Sequence, residues 1–118
     1  TLHSLGSLPT NIFLVDPQPY LEFNFLVKNA LAVITDSGGI TEETTVMGVP
    51  CLTLRDNTER PETITLGTNE LIGTNPAAIK PAMDKLFDEG WKRGSIPPLW
   101  DGKAGERIVA HLDRLLLG

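Results

Sequence analysis

The sequence predicts an α/β domain with a parallel β-sheet flanked by helices, and three observations carry that reading. Short apolar runs of strand length alternate with segments of helical spacing. The runs are bounded by turn signals rich in glycine, aspartate and proline. The chain has 118 residues, 41% hydrophobic and 21% charged, the make-up of one soluble domain with one core. Strands alternating with helices imply βαβ units, and right-handed crossovers put the helices on both faces of the sheet.

Ile12-Phe13-Leu14-Val15, stopped by Asp16-Pro17, reads as a first strand buried on both faces. Residues 20–30 have helical spacing, with Tyr20, Phe23 and Val27 on one side. Leu31-Ala32-Val33-Ile34 is a second strand, ended by Asp36-Ser37-Gly38-Gly39. Residues 40–47 form about two helical turns, and Gly48 is a suitable terminator. Cys51-Leu52-Thr53-Leu54 is a third strand, residues 55–61 a polar loop, and residues 62–66 one helical turn before Gly67. Glu70-Leu71-Ile72-Gly73 is a short fourth strand. Asn75 caps a helix with Pro76 at its first position and Gly90 at its end. Pro81 inside it requires a kink or a later true start. Residues 104–117 form the last helix, with Ile108, Leu112, Leu115 and Leu116 toward the core and Asp101-Gly102 as the preceding turn. Four parallel strands are thin for a free-standing doubly wound domain, and the chain opens on Thr1 rather than methionine. Both features read as a fragment or a processed product.

Composition narrows the function classes. The net charge is −5, with ten basic residues scattered among fifteen acidic ones, so no basic stripe offers a nucleic-acid surface. The single cysteine, Cys51, forms no internal disulfide or cysteine metal cluster and reads as a buried strand residue. No apolar run approaches the ~20 residues of a membrane span, and no signal peptide opens the chain. A cytoplasmic protein without nucleic-acid or membrane partners is expected. His3 and His111 are isolated, no metal-ligand spacing occurs, and no cofactor is expected.

Open α/β sheets bind ligands beyond the carboxyl ends of their strands. Two loops lie there. In Thr35-Asp36-Ser37-Gly38-Gly39-Ile40, two glycines let the backbone approach a ligand, and the next helix offers unpaired amides at the positive end of its dipole. That is a phosphate cradle, with a plain tight turn capped by Ser37 as the bland alternative. Glu42-Glu43 favours the start of a helix in any case, but a carboxylate one turn beyond a phosphate site can also accept hydrogen bonds from ribose hydroxyls. Neighbouring helix positions point about 100° apart, so one of the two faces a ligand, and spacing does not choose which. The second loop, Arg55-Asp56-Asn57-Thr58-Glu59-Arg60-Pro61-Glu62, holds arginines able to clamp a diphosphate or simply to pair with neighbouring acids. Neither common glycine-rich nucleotide fingerprint is present.

The ordered series Thr35-Asp36-Ser37-Gly38-Gly39-Ile40, Glu42-Glu43, Gly48-Val49-Pro50 and the 55–62 loop resembles the C-terminal domain of non-hydrolysing UDP-N-acetylglucosamine 2-epimerases. Gly67-Thr68, Gly73-Thr74 and Asp101-Gly102-Lys103-Ala104 continue the resemblance, which runs from about Phe13 to the C-terminus. It implies a Rossmann-like sheet in one half of a two-domain, type B glycosyltransferase-like fold. It also implies interconversion of UDP-N-acetylglucosamine and UDP-N-acetylmannosamine, by anti elimination of UDP to 2-acetamidoglucal and re-addition with inversion at C2. By motif match, Ser37, Gly38 and Gly39 would contact the diphosphate, Glu43 the ribose hydroxyls, Arg60 the diphosphate or sugar, and Phe23 the uracil. Thr41 and Thr44-Thr45-Val46-Met47 depart from the family's usual residues without touching those contacts. The resemblance makes residues 1–118 a single partial UDP-binding domain. The N-terminal catalytic domain would lie outside it, so no catalytic residue is assigned here. The intact parent would be a homodimer acting on a UDP-sugar. A fragment of a type B glycosyltransferase, or a non-enzymatic nucleotide-binding domain, is the alternative.

Overall fold

The computed structural model describes residues 6–118, so His3 lies outside the described residues. Three parallel strands form the sheet: β1 (Val33–Thr35), β2 (Cys51–Thr53) and β3 (Asn69–Leu71), in the order β1-β2-β3. Val33 pairs with Cys51, and Cys51 with Asn69. Five α-helices accompany them: α1 (Tyr20–Lys28), α2 (Ile40–Met47), α3 (Glu62–Thr65), α4 (Ile79–Asp84) and α5 (Ala104–Leu117). The parallel sheet flanked by helices is the predicted α/β class.

Local signals set most boundaries. Gly48 takes φ 71° and ends α2, where its own amide and that of Val49 reach back to the carbonyls of Thr45 and Thr44. Asn75 Oδ1 accepts the Ala77 amide at 3.0 Å, and Pro76 opens a 3₁₀ turn. The α-helix proper begins later, at Ile79, which leaves Pro81 in its first turn, where its missing N–H costs least. A wider π turn, Lys85–Glu89, then carries the chain to Gly90 at φ 77°.

Central β2 is closed off from solvent: Cys51, Leu52 and Thr53 are all buried. The other buried apolar residues are Val27, Val49, Ala82 and Leu86. The buried layer between α2, α3 and the sheet is built largely from threonines. Thr68 donates to the Val49 carbonyl at 2.6 Å, and Thr44 to the Ile40 carbonyl at 3.1 Å. After Gly90 the chain folds back over β3, held by Trp91 Nε1 on the Thr68 carbonyl at 2.6 Å and by Lys92 Nζ on the Ile64 carbonyl at 2.7 Å. Burial pushes the Lys92 ammonium below its ordinary pKa.

Two expectations fail. Residues 12–15 are exposed and join no ladder; Phe13 is 81% accessible. An apolar run becomes a strand only when another strand supplies its hydrogen bonds, and none of the described strands runs beside it. Among the described residues three strands are therefore present where four were expected. Helix α5 forms over the expected residues, yet Ile108, Leu112, Leu115 and Leu116 are all exposed, because α5 buries none of its residues. Both features stretch the molecule: its radius of gyration is 18.0 Å, against ~13 Å for a compact chain of about 100 residues.

Gly94 shows how closely the returning segment sits. A Cβ there would lie 2.7 Å from the Gly67 carbonyl carbon and 2.9 Å from the Thr68 nitrogen. Backbone cannot yield as a side chain does, so Gly94→Ala should cost about 1–3 kcal/mol. Gly105→Ala, which points into open space, should be close to neutral. Thermal unfolding of both variants checks this; equal midpoints would show that the segment does not pack against β3.

Candidate functional site

The turn from β1 into α2 leaves the start of the helix uncapped by any side chain. Ser37 does not cap it: its amide donates to Thr35 Oγ1 at 3.0 Å, while Thr41 Oγ1 donates to the Gly38 carbonyl at 2.6 Å. The first amides of α2 are thus left with the positive end of the helix dipole and no side-chain acceptor. Gly38 lies under the neighbouring loop. A Cβ on it would meet Arg55 Nη1 at 2.8 Å and Glu59 Oε2 at 2.9 Å.

Both arginines of that loop are paired. Arg55 Nη2 donates to Glu59 Oε1 at 2.7 Å and to Asn57 Oδ1 at 3.1 Å. Hydrogen bonding by Arg55 holds the Glu59 carboxyl below its ordinary pKa. Arg60 Nε donates to Glu42 Oε1 at 2.7 Å, with both side chains half-exposed. Arg60 thus reaches α2, and Arg55 is the arginine that sits against Gly38.

The two adjacent glutamates part company here. Glu42 is taken up by Arg60, whereas Glu43 Oε2 is buried and has no hydrogen-bond partner among the described residues. A buried carboxylate oxygen without a donor costs several kcal/mol unless something supplies one. A cavity of about 320 Å³ opens beside it, lined by Tyr20, Glu42, Glu43, Val46, Met47 and Trp100. A larger cavity, of about 460 Å³, lies at the strand ends among Ile34, Asp36, Leu54 and Ile79. Glu42 and Glu43 both line the smaller one, while Glu43 Oε2 itself is buried. Phe23 stands on α1 one turn beyond Tyr20, 37% accessible, and does not line the smaller cavity.

Sequence reasoning missed Trp100, and the Pro97-Pro98 pair beside the Asp101-Gly102 turn was the available signal. The turn that delivers it is under constraint. Leu99 adopts φ 72°, a left-handed conformation that L-residues with a side chain seldom take. Arg107 clamps it, with Nη2 on the Leu99 carbonyl at 2.8 Å and two bonds of 3.0 Å to Asp101. The Lys103 amide adds a fourth bond, to Asp101 Oδ1, at 2.9 Å.

Comparison with known proteins bears on this arrangement. A family model described as UDP-N-acetylglucosamine 2-epimerase matches residues 1–113. The chain is 48% identical over 101 residues to the UDP-N-acetylglucosamine 2-epimerase of Methanocaldococcus jannaschii, covering 86% of this chain and 27% of that protein. A crystal structure of the M. jannaschii UDP-GlcNAc 2-epimerase in complex with UDP-GlcNAc and UDP aligns with TM-score 0.69 and 46% identity, over 85% of this chain and 27% of that one. The Neisseria meningitidis UDP-GlcNAc 2-epimerase bound to UDP-GlcNAc aligns with TM-score 0.82 and 35% identity, over 96% and 32%. The chain therefore spans between a quarter and a third of the length of these relatives.

The clamp around Trp100 has a pH signature. Hydrogen bonds from Arg107, then from the Lys103 amide, lower the Asp101 carboxyl to about 2. Its unfolded value is about 3.9, so the clamp contributes fully above that pH and is lost as pH falls through about 2. Carboxyl NMR should find the Asp101 midpoint near 2, and Arg107→Ala should return it toward ~3.9. An ordinary midpoint in the unaltered protein would refute the clamp.

Proposed function

The chain belongs to the UDP-N-acetylglucosamine 2-epimerase family, and we propose that it is the UDP-binding portion of an enzyme interconverting UDP-N-acetylglucosamine and UDP-N-acetylmannosamine. The observation that carries this reading is the buried Glu43 Oε2, without a partner among the described residues, on the helix whose start has no side-chain cap. The relatives solved with UDP-GlcNAc and UDP support the same ligand class. The family match supports this reading over that of a type B glycosyltransferase fragment.

In this reading Ser37, Gly38 and Gly39 present the diphosphate with backbone amides and a hydroxyl, and Arg60 adds positive charge from the next loop. Glu43 accepts hydrogen bonds from the ribose hydroxyls, which relieves its stranded oxygen. Phe23 stands beside the uracil, from the helix that also carries Tyr20. Removal of the C2 proton and cleavage of the C1–O bond leave negative charge on the departing UDP. Preorganised amides, the helix dipole and an arginine stabilise that charge as it develops. A firm grip on the nucleoside keeps UDP in place, so that its oxygen can attack C1 again when a proton returns to the opposite face of C2.

The groups that move the C2 proton belong, in this reading, to an N-terminal domain outside the chain. Glu42 and Glu59 are committed to arginines and Glu43 to ribose. The reading extends to a cytoplasmic, homodimeric parent serving polysaccharide biosynthesis. Among the described residues, no helix is long and apolar enough to cross a membrane.

Calorimetric titration of the intact protein that carries this chain tests the cradle. UDP should bind more tightly than UMP, and UMP more tightly than uridine; equal affinities would sink the phosphate role. Glu43→Gln should weaken UDP by about 1–3 kcal/mol, since a charge-assisted acceptor is lost, while Glu42→Gln should do much less. A more sensitive Glu42 would reverse the assignment. The division of labour has its own test. The 118-residue chain alone, given UDP-N-acetylglucosamine in deuterated water, should exchange no hydrogen at C2, because proton abstraction there needs a positioned base. Deuterium at C2 would place the catalytic groups inside this chain.

A further inference from the structure

A relay of buried hydrogen bonds runs from the centre of the sheet to the backbone of Arg60. The Thr53 hydroxyl on β2 is bonded to Asn69 Oδ1 on β3. Asn69 Nδ2 donates to Thr63 Oγ1 at 3.1 Å, and Thr63 Oγ1 donates to the Arg60 carbonyl at 2.7 Å. The Thr63 amide donates to that same carbonyl at 3.0 Å. Thr53, Asn69 and Thr63 are each at most 1% accessible.

The carbonyl at the end dictates the direction of the whole relay. A carbonyl only accepts, so the single Thr63 hydroxyl proton is committed to Arg60. Thr63 must then accept from the amino group of Asn69, which turns Oδ1 toward Thr53 and makes Thr53 the donor. Each group has one compatible role, and any change in the middle leaves a buried polar group unpaired.

We propose that Asn69 and Thr63 are positioning residues that hold Arg60 in reach of the diphosphate, an inference that rests on the reading of Arg60 as a UDP ligand. Loop 55–61 is tied at its start by the Gly73 amide on the Arg55 carbonyl, at 3.2 Å. The relay ties its other end from inside the core. The Arg60 guanidinium is half-exposed and crosses to Glu42 on α2. With its backbone fixed, Arg60 loses less freedom when it meets a ligand, so the relay contributes by preorganisation and touches no substrate.

A double-mutant cycle on the intact protein, read by UDP titration, tests this. Thr63→Val keeps the branched shape and removes the hydroxyl; it should weaken UDP about tenfold. Thr63→Ser, which restores the hydroxyl, should bind within about twofold of the unaltered protein. In an Arg60→Ala background, Thr63→Val should add less than about twofold, because the residue it positions is gone. A merely structural role would lower affinity equally in both backgrounds, and that result, or a Thr63→Val protein that binds normally, overturns the proposal. If Thr63→Val does not fold, Thr63→Ala carries the same expectations. Folded, unaltered protein that fails to bind UDP refutes the functional reading itself. Normal UDP binding, weakened by Arg60→Ala but not by Thr63→Val, refutes the relay alone.

Discussion

A buried hydroxyl without a partner costs about 1–3 kcal/mol, and the layer between α2, α3 and the sheet is lined with hydroxyls. Thr41, Thr44, Thr45, Thr53, Thr63 and Thr68 are all buried there, together with Asn69. An apolar core tolerates small slides, because dispersion has no direction. A core of hydroxyls does not, since each must meet a lone pair at hydrogen-bond distance. Thr68 lodges on the Val49 carbonyl, Thr41 on that of Gly38, and Thr63 on that of Arg60. The bonds that cross between elements are those of Thr53 to Asn69, of Asn69 to Thr63, and of Thr68 to the Thr44 carbonyl; they tie β2, β3, α3 and α2 to one another.

The site inherits that arrangement. Thr41, Thr44 and Thr45 share one face of α2, separated by the three and four positions that line up on a helix. With that face turned to the core, Glu42 and Glu43 are carried toward the loop and the cavity. Only one of them meets Arg60. The Thr45 hydroxyl is unpaired and lies where a Cβ on Gly67 would have to go, which is why a glycine stands there. Among the described residues, the other buried side-chain oxygen without a partner is Glu43 Oε2, on a residue that lines the cavity. The two exceptions differ in kind: one is a packing compromise inside the core, the other a carboxylate oxygen of a residue at the cavity wall.

Family departures fall in the same helix. Thr41, Thr44 and Thr45 look like neutral variation in the sequence, yet they supply much of the buried polar layer under the site. Thr41 bonds to the Gly38 carbonyl and Thr44 to those of Ile40 and Thr41, so these two hydroxyls need no partner on the sheet. On the far side, the Arg107 clamp spends backbone strain at Leu99 to hold the turn that carries Trp100. Precision around the cavity is thus built from two directions by the same means, charged or hydroxyl donors fastened to backbone carbonyls.

The sequence by itself determined what depends on neighbours a few positions away. Residues 40–47 and 104–117 became helices with the predicted ends, and Asn75, Pro76 and Gly90 punctuate the chain as expected, because caps and glycine conformations are settled within one turn. The parallel α/β class followed from the same alternation. Tertiary structure alone decided the rest. Residues 12–15 have a strand's composition but no ladder, since pairing needs a second strand. The stripe on α5 is amphipathic but exposed, since burial needs an opposing surface. Between Glu42 and Glu43 the choice rests on Arg60, eighteen positions along the chain, and the place of Trp100 rests on a clamp from Arg107. Hydrogen-bond partners distant in sequence leave no periodic trace in it, so which carboxylate pairs with an arginine and which keeps a buried oxygen without a donor becomes visible only once the chain has folded.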